Sequence, residues 1–243
     1  MRILVTGSSG HLGEALVRVL RSEGEEIVGL DLLDSEYTTA VGSIVDRDFV
    51  RRCVEGMDAI LHAATLHKPH VGSHSRQDFV DTNVTGTLNL LDGMREAGVG
   101  RLVFSSTCAT YGQPDRVPIR EDESTTPTNP YGESKLAVDR MIAGFCAAHR
   151  IGAVSLRYFN VAGASGDLGE HHEPETHLIP NVLRAAAGHA ENVSVFGTDY
   201  PTEDGTAIRD YIHIEDLAVA HRLALEATRP GEHLIYNLGT GTE

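Results

Sequence analysis

The sequence predicts an α/β fold: a doubly wound parallel sheet with a smaller C-terminal lobe. Three observations predict it. Short, continuous apolar runs alternate with longer segments of helical spacing, the pattern of strands covered on both faces. Gly7, Gly10 and Gly13 stand between the first apolar run and the first helical pattern. The chain has 243 residues, enough for a full sheet and part of a second lobe.

Each element follows from local pattern. Residues 3–5 form the first strand, ending at Thr6-Gly7, and Leu12, Leu16, Val19 and Leu20 then recur with helical spacing until Gly24. Residues 27–30 are the second strand, closed by Asp31. Asp46 reads as the N-cap of a short helix through Val54. Residues 59–61 are a third strand, 79–96 a long helix ended by Gly98, and 101–104 a fourth strand. A helix over 131–149 and a strand over 154–159 complete the first alternation. Two stretches break it: 113–130, rich in Pro, Thr and acids, and 161–174, rich in Gly and His, both read as loops. Beyond them come a helix, a short strand at Val195-Phe196 and a polar loop through Asp204. An extended segment over 210–213, a helix over 215–227 and a strand over 234–238 follow. The last residues, Gly239-Thr240-Gly241-Thr242-Glu243, read as a turn entering a further helix, so the C-terminal lobe is expected to be incomplete.

Composition narrows the function. Twenty basic residues against 35 acidic ones leave a net charge of −15, which repels phosphate backbones and argues against nucleic acid as a partner. One small anion in a locally positive pocket is still allowed. Cys53, Cys108 and Cys146 are an odd set without a CxxC, so a reducing compartment is expected. No apolar run approaches the roughly 20 residues that span a bilayer. The chain opens directly as a strand, so the expectation is a cytoplasmic protein without membrane attachment.

Thr6-Gly7-Ser8-Ser9-Gly10-His11-Leu12-Gly13 joins the first strand to the first helix with GxxGxxG spacing. Gly7 permits the tight turn, Gly10 lets the backbone approach a pyrophosphate, and Gly13 lets helix and strand pack closely. The free N–H groups of the first helical turn then face the phosphates. A tight turn with no ligand is the plainer alternative. Asp31, at the end of the second strand, suits the adenosine ribose hydroxyls and repels a 2′-phosphate, which favours NAD over NADP. Its plainer alternative is a turn aspartate. Residues 1–160 thus read as a Rossmann-type NAD-binding domain. Residues 161–243 read as a partial substrate lobe, with about 210–238 returning to the sheet.

Tyr131 and Lys135 are spaced i, i+4 and share one face of a helix. A phenol with a reference pKa of about 10 is too weak a base near neutrality. The neighbouring ammonium and a bound nicotinium ring are expected to bring it down. Thr107, after the fourth strand, offers a hydroxyl to the same substrate oxygen.

With these motifs the chain resembles the extended short-chain dehydrogenase/reductase family, in its NAD-dependent epimerase/dehydratase branch. The resemblance runs from Met1 to Glu243 and is most specific after Phe104. Leu156-Arg157-Tyr158-Phe159-Asn160 and the run Phe196-Gly197-Thr198-Asp199-Tyr200-Pro201 through Arg209-Asp210-Tyr211-Ile212-His213 carry it. It implies NAD as a retained cofactor, a UDP-sugar substrate, and inversion at C4 of a UDP-hexose through a transient 4-keto sugar. Position by position it implies that Thr107, Tyr131 and Lys135 are catalytic. Gly7, Gly10, His11, Leu12, Gly13, Asp31, Ser43, Ile44, Ala63, Ala64, Thr65, His67, Asn83, Ser105, Tyr158 and Phe159 join Tyr131 and Lys135 around the cofactor. Asn160, His177, Leu178, Phe196, Arg209 and Tyr211, with Thr107, face the substrate. The family is commonly a homodimer, which here would pair the 79–96 and 131–149 helices.

The sequence also departs from the family. The Gly-Asp-Ile adenine contact is Gly42-Ser43-Ile44 here, a family lysine falls on His67 or Lys68, and a family asparagine is His177. The family continues past Gly241 with residues that contact the UDP ribose and gate the sugar. Sibling dehydratases carry an Asp-Glu pair after the threonine. Cys108-Ala109 stand there, which argues against dehydration. A UDP-uronate 4-epimerase, another NAD-dependent sugar-nucleotide oxidoreductase, and an NAD-binding protein without turnover remain the alternatives. His67, His70, His74, His171, His172 and His177 lack metal-ligand spacing and read as solvated loop residues, so no metal is expected. His213 reads as a helix cap or a packing residue, Cys108 as packing, and Glu121-Asp122-Glu123 as a solvated loop face.

Overall fold

Residues of odd and even number in the first strands are both apolar, and the two sets go to opposite sides of one sheet. The computed structural model describes residues 1–67, 73–169 and 175–241. Strands β1 (Arg2–Thr6), β2 (Glu26–Asp31), β3 (Ala40–Val41), β4 (Ala59–His62), β5 (Arg101–Thr107) and β6 (Gly152–Tyr158) are followed by four short strands. These are β7 (Asn160–Ala162), β8 (Ala164–Ser165), β9 (Leu168–Gly169) and β10 (Tyr211–His213), and β11 (His233–Leu238) comes last. The helices are α1 (His11–Ser22), α2 (Arg47–Val54), α3 (Arg76–Phe79), α4 (Gly86–Ala97), α5 (Pro130–His149), α6 (Leu178–Ala186) and α7 (Ile214–Ala227). Seven strands form one parallel sheet in the order β3-β2-β1-β4-β5-β6-β11.

Leu4, Ile60, Leu102 and Phe104 pack with α2, α4 and α5 on one face, while Ile3, Val5, Leu61 and Val103 pack with α1 and α7 on the other. Side chains alternate across a strand, so two-sided burial demands apolar residues at nearly every position. That is why these strands read as continuous runs. The strand order reverses between β1 and β4, and the crevice at the C-terminal ends of those strands is where such sheets take ligands.

Helix ends follow their caps. Asp46 accepts from the Phe49 amide, as its sequence position predicts. Asn129 accepts from Gly132 N at 2.9 Å, and Pro130 fits the first turn of α5 because that turn has no use for its missing N–H.

Several boundaries differ from the sequence reading. The 79–96 helix begins earlier, at Arg76, where Ser75 and Asp78 form a capping box, and residues Val80–Thr85 are π-helical. The fourth strand runs on to Thr107: Ser105, Ser106 and Thr107 are polar yet buried, paired with β6. The 161–174 stretch is no plain loop, since β7 pairs with β10 and β8 with β9. Within 210–238, β11 joins the main sheet and β10 pairs with β7 beside it. No strand forms at Val195-Phe196. Both side chains are exposed, Phe196 almost wholly, and an apolar pair without a partner strand has no ladder to join. The two-residue β3 at the sheet edge is too short to show a period.

Candidate active site

The glycine turn is built by close approach. Gly7 has φ +75° and donates from its amide to Leu30 O at 2.8 Å. A Cβ there would lie 2.7 Å from the Ala64 amide, and one on Gly13 would run into the Gly7 carbonyl. At Gly10 a Cβ would meet only Gly7 O, at 3.4 Å, so this residue leaves space above the turn. Gly10 is also the N-cap of α1 and supplies no side-chain cap, so the amides at His11 and Leu12 open the helix uncapped by it. A cradle without Cβ atoms at the start of a helix fits a pyrophosphate.

Asp31 closes β2. Its carboxylate accepts from Ser9 N and Leu33 N, each at 3.0 Å, so it braces the turn whichever ligand it meets. Ser43 accepts from Val45 N and caps its own turn. Ile44 is buried, with its side chain where a Cβ on Gly86 would lie. Ala63 N and Ala64 N donate to Thr6 O and Thr6 Oγ1, drawing the segment after β4 against the glycine turn. Asn83, on the π-helical segment, accepts from Leu66 N at 2.8 Å and from Thr65 Oγ1 at 3.0 Å. Its Nδ2 donates to Leu66 O and to Ser134 Oγ, both at 2.9 Å, tying that segment to α5. His67 ends this described stretch. Lys68, His70, His171 and His172 lie outside the described residues.

The second cluster sits at the C-terminal ends of β5 and β6. Thr107 lies beside the Tyr131 phenol and acts to lower its pKa, and its own Oγ1 accepts from the Ala109 amide at 3.1 Å. Lys135 is 1% exposed, donates from Nζ to Ser105 O at 2.7 Å, and lies 6.0 Å from the centre of the Tyr131 ring and 4.5 Å from that of Phe104. Burial lowers the Lys135 ammonium to about 7, against an opposing pull from Asp139. The phenol of Tyr131 goes the other way from the sequence expectation. Burial pushes it above its ordinary value, Tyr158 adds to the rise, and Thr107 acts the other way. A phenolate stripped of water is costly until a cation replaces that water.

Burial pushes the Tyr158 phenol up to about 12, with Ser105 beside it acting the other way. Ser105 Oγ in turn bonds His221 Nε2 at 2.9 Å, and His221 Nδ1 bonds Leu217 O at 2.8 Å. The carbonyl can only accept, so Nδ1 carries the proton and Nε2 accepts from Ser105. Thr6 Oγ1 and Thr87 Oγ1 hold the two nitrogens of buried His62 at 2.7 and 2.8 Å. Sequence reasoning missed His62, His221, Asp139 and Arg157. The first two sit in apolar segments where a histidine carries no pattern. Asp139 continues the Tyr131–Lys135 stripe by one more helical step, a signal that was there to use.

The residues expected to face a substrate fall into separate places. Asn160 lies opposite Tyr211 in the β7–β10 pair, and its N and Nδ2 both donate to Asp210 O at 3.0 Å. Phe159 N donates to Leu238 O. Arg209 is exposed and donates to Ile208 O. His177 is the N-cap of α6, its Nδ1 2.9 Å from Glu175, with Leu178 exposed after it. Phe196 stands 99% exposed, apart from the Tyr131 cluster. Glu121 is no free loop charge: it accepts from Asn237 N at 2.9 Å and ties its loop to the edge strand. Among the described residues no group of three His, Cys, Asp or Glu could hold a metal ion, and no helix is long and apolar enough to cross a membrane.

A parallel sheet with its strand reversal beside a glycine turn, and a Tyr-Lys helix at the same edge, define a dinucleotide-binding α/β protein. Residues 3–239 match the model of the NAD dependent epimerase/dehydratase family, and the chain belongs to that family. It is 49% identical over 251 residues to a UDP-glucose 4-epimerase of Streptomyces lividans, covering 99% of this chain and 76% of that protein. Among solved structures it is similar to the UDP-glucose 4-epimerase from Brucella ovis in complex with NAD. That match has a TM-score of 0.89 and 41% identity over 99% of this chain and 78% of the other. It is also similar to the Stenotrophomonas maltophila UDP-glucose-4-epimerase with bound NAD and formylated UDP-arabinopyranose. There the TM-score is 0.91 and the identity 36%, over 100% and 79% of the two chains.

Proposed function

We propose that this chain inverts C4 of a UDP-hexose, interconverting UDP-glucose and UDP-galactose with NAD as a retained cofactor. The observation that carries the reading is the Thr107–Tyr131–Lys135 arrangement, with a phenol beside a threonine and a buried ammonium 6.0 Å from its ring on the same helix. The glycine cradle and Asp31 support NAD, and the relatives support the sugar nucleotide.

Bound NAD would supply a reversible hydride acceptor for C4 of the sugar. The chain's own residues do the rest. Tyr131 removes the proton from the 4-hydroxyl as hydride leaves, and the Thr107 hydroxyl hydrogen-bonds the same substrate oxygen. Lys135 is the cation that offsets the penalty of a buried phenolate. Once the 4-keto sugar has turned over in the site, Tyr131 gives the proton back on the other face. Gly7, Gly10, His11, Leu12, Gly13, Asp31, Ser43, Ile44, Ala63, Ala64, Thr65, His67, Asn83, Ser105, Tyr158 and Phe159 surround the cofactor. Asn160, His177, Leu178, Phe196, Arg209 and Tyr211 hold the UDP. A sugar that must turn is best held loosely, so binding energy belongs on the nucleotide, and a guanidinium at Arg209 suits a diphosphate.

We read residues 1–160 as the NAD-binding domain and 161–243 as a substrate lobe. We further read the protein as a cytoplasmic homodimer through the 79–96 and 131–149 helices. Val80 and Leu88, 44% and 37% exposed on the first of these, support a covered face. Light scattering at twice the chain mass is the expected result.

The test is a coupled assay for UDP-glucose formed from UDP-galactose, run beside UDP-galacturonate and a measurement of bound NAD. Turnover of UDP-galactose is expected. Turnover of the uronate alone overturns the substrate, and NAD binding without any turnover overturns the enzyme.

A further inference from the structure

One buried charged pair stands behind the Tyr131 cluster without a part in the reaction described above. Asp139 and Arg157 are each 3% exposed. Arg157 donates from Nε and Nη2 to the same Asp139 oxygen, Oδ2, at 3.1 and 2.9 Å, and Ser106 Oγ donates to that oxygen at 3.2 Å. The other oxygen, Oδ1, is buried and has no hydrogen-bond partner among the described residues. A pair whose only task was to brace the core would satisfy both oxygens with the two prongs of the guanidinium. An unpaired buried carboxylate oxygen is a cost that a brace alone does not explain.

Position supplies the explanation. Asp139 is one helical step beyond Lys135 on α5, as Lys135 is one step beyond Tyr131, so the three side chains form one stripe. Among the described residues, Lys135 donates to one carbonyl, that of Ser105, and lies over two aromatic rings. Burial works against its charge, and the carboxylate of Asp139 is the charged neighbour that works for it. We infer that Asp139 is a positioning residue for the proposed reaction: held by Arg157, its carboxylate acts through Lys135 to keep that side chain a cation beside Tyr131.

This rests on the reading of Tyr131 and Lys135 as the reacting pair. The other groups facing them are accounted for. From β4, His62 is neutral, held by Thr6 and Thr87, and burial lowers it to about 3. From β6 and β11, Ser155 bonds His233, a half-buried histidine whose pKa is also lowered, and both Asp139 and Arg157 act on it. Tyr111 stacks 4.9 Å from the Arg157 guanidinium and donates to Asn237 at 2.7 Å. Tyr158 faces Tyr131. None of these supplies a second negative charge.

The composition makes the test direct. The chain has two lysines, Lys68 and Lys135, so a Lys68→Arg protein labelled with 13C at the lysine ε-carbon shows a single lysine resonance. Its chemical shift is followed against pH in the full chain. With Asp139→Asn the midpoint should fall by about one unit, the low end of what losing a nearby opposite charge does. Asp139→Glu keeps the charge and should keep the midpoint. If Asp139→Asn alone fails to fold, Asp139→Asn with Arg157→Gln replaces the pair by a neutral hydrogen-bonded one, and the midpoint should again fall. A midpoint that stays or rises in the folded variant overturns the inference and leaves the pair a structural brace. The resonance needs no substrate, so failure to epimerise a UDP-hexose would be seen separately.

Discussion

The ammonium of Lys135 donates to the carbonyl oxygen of Ser105 at 2.7 Å, which ties helix α5 to the end of strand β5 at the edge where the crevice opens. The hydroxyl of the same serine bonds His221 at 2.9 Å and lies beside the Tyr158 phenol, whose pKa it lowers. One residue thus meets both the lysine of the reacting pair and a tyrosine read as facing the nicotinamide.

Removing the phenol tests the base. Tyr131→Phe keeps the ring that packs near Lys135 and loses the hydroxyl beside Thr107. kcat should fall by at least ~10²-fold, in line with general-base contributions, while NAD stays bound. Steady-state kinetics with cofactor content measured on the same sample checks this, and a fully active variant removes Tyr131 as base.

Asp31→Ala should weaken NAD and narrow the preference for NAD over NADP. The carboxylate both braces Ser9 and Leu33 and repels a 2′-phosphate. Titration with each cofactor reads the ratio, and an unchanged ratio contradicts the assignment.

Gly13→Ala places a methyl against the Gly7 carbonyl, which is backbone and cannot swing away. Forced overlap in a packed site costs about 1–3 kcal/mol. Urea unfolding should show that loss, and NAD binding should weaken with it. A variant as stable as the parent would mean that the helix start can shift.

Acid should weaken the fold through its buried histidines. Burial lowers His62 to about 3 and His221 to about 4, from 6.5. Between those limits the unfolded chain binds more protons than the folded one, so stability falls as pH drops below about 6.5. Urea midpoints at pH 7.5 and 5 should differ, and His62→Gln should flatten the difference. An equal slope in the variant would assign the acid sensitivity elsewhere.

Arg209→Ala should weaken competition by UDP more than it weakens NAD. Equal loss of both would make Arg209 structural.

Much of this was readable in the sequence because both faces of the sheet are covered. Continuous apolar strands such as Ile3-Leu4-Val5, closed by Thr6-Gly7, need little else to be recognised. The caps Asp46 and Asn129 act through local hydrogen bonds, so helix starts are legible where such a cap is noticed. What escaped depends on distant partners. Ser105, Ser106 and Thr107 extend β5 only because β6 pairs with them. The π-helical turn that carries Asn83 has no residue signature of its own, and β7 exists only through β10. Phe196 shows the reverse error, an apolar residue read into a strand that stands exposed instead. At the candidate site, Tyr131 and Lys135 were legible from i, i+4 spacing. The rise of the Tyr131 phenol was not, because burial is a tertiary quantity.

The most direct measurement of the central claim follows one hydrogen. UDP-galactose carrying deuterium at C4 is incubated with the protein and no added NAD, and the UDP-glucose formed is examined by NMR. Retention of deuterium at C4 is the expected result, since the hydride leaves and returns within one site while Tyr131 handles only the hydroxyl proton. Loss of the label to solvent, or no UDP-glucose at all from protein that holds NAD, would contradict the account.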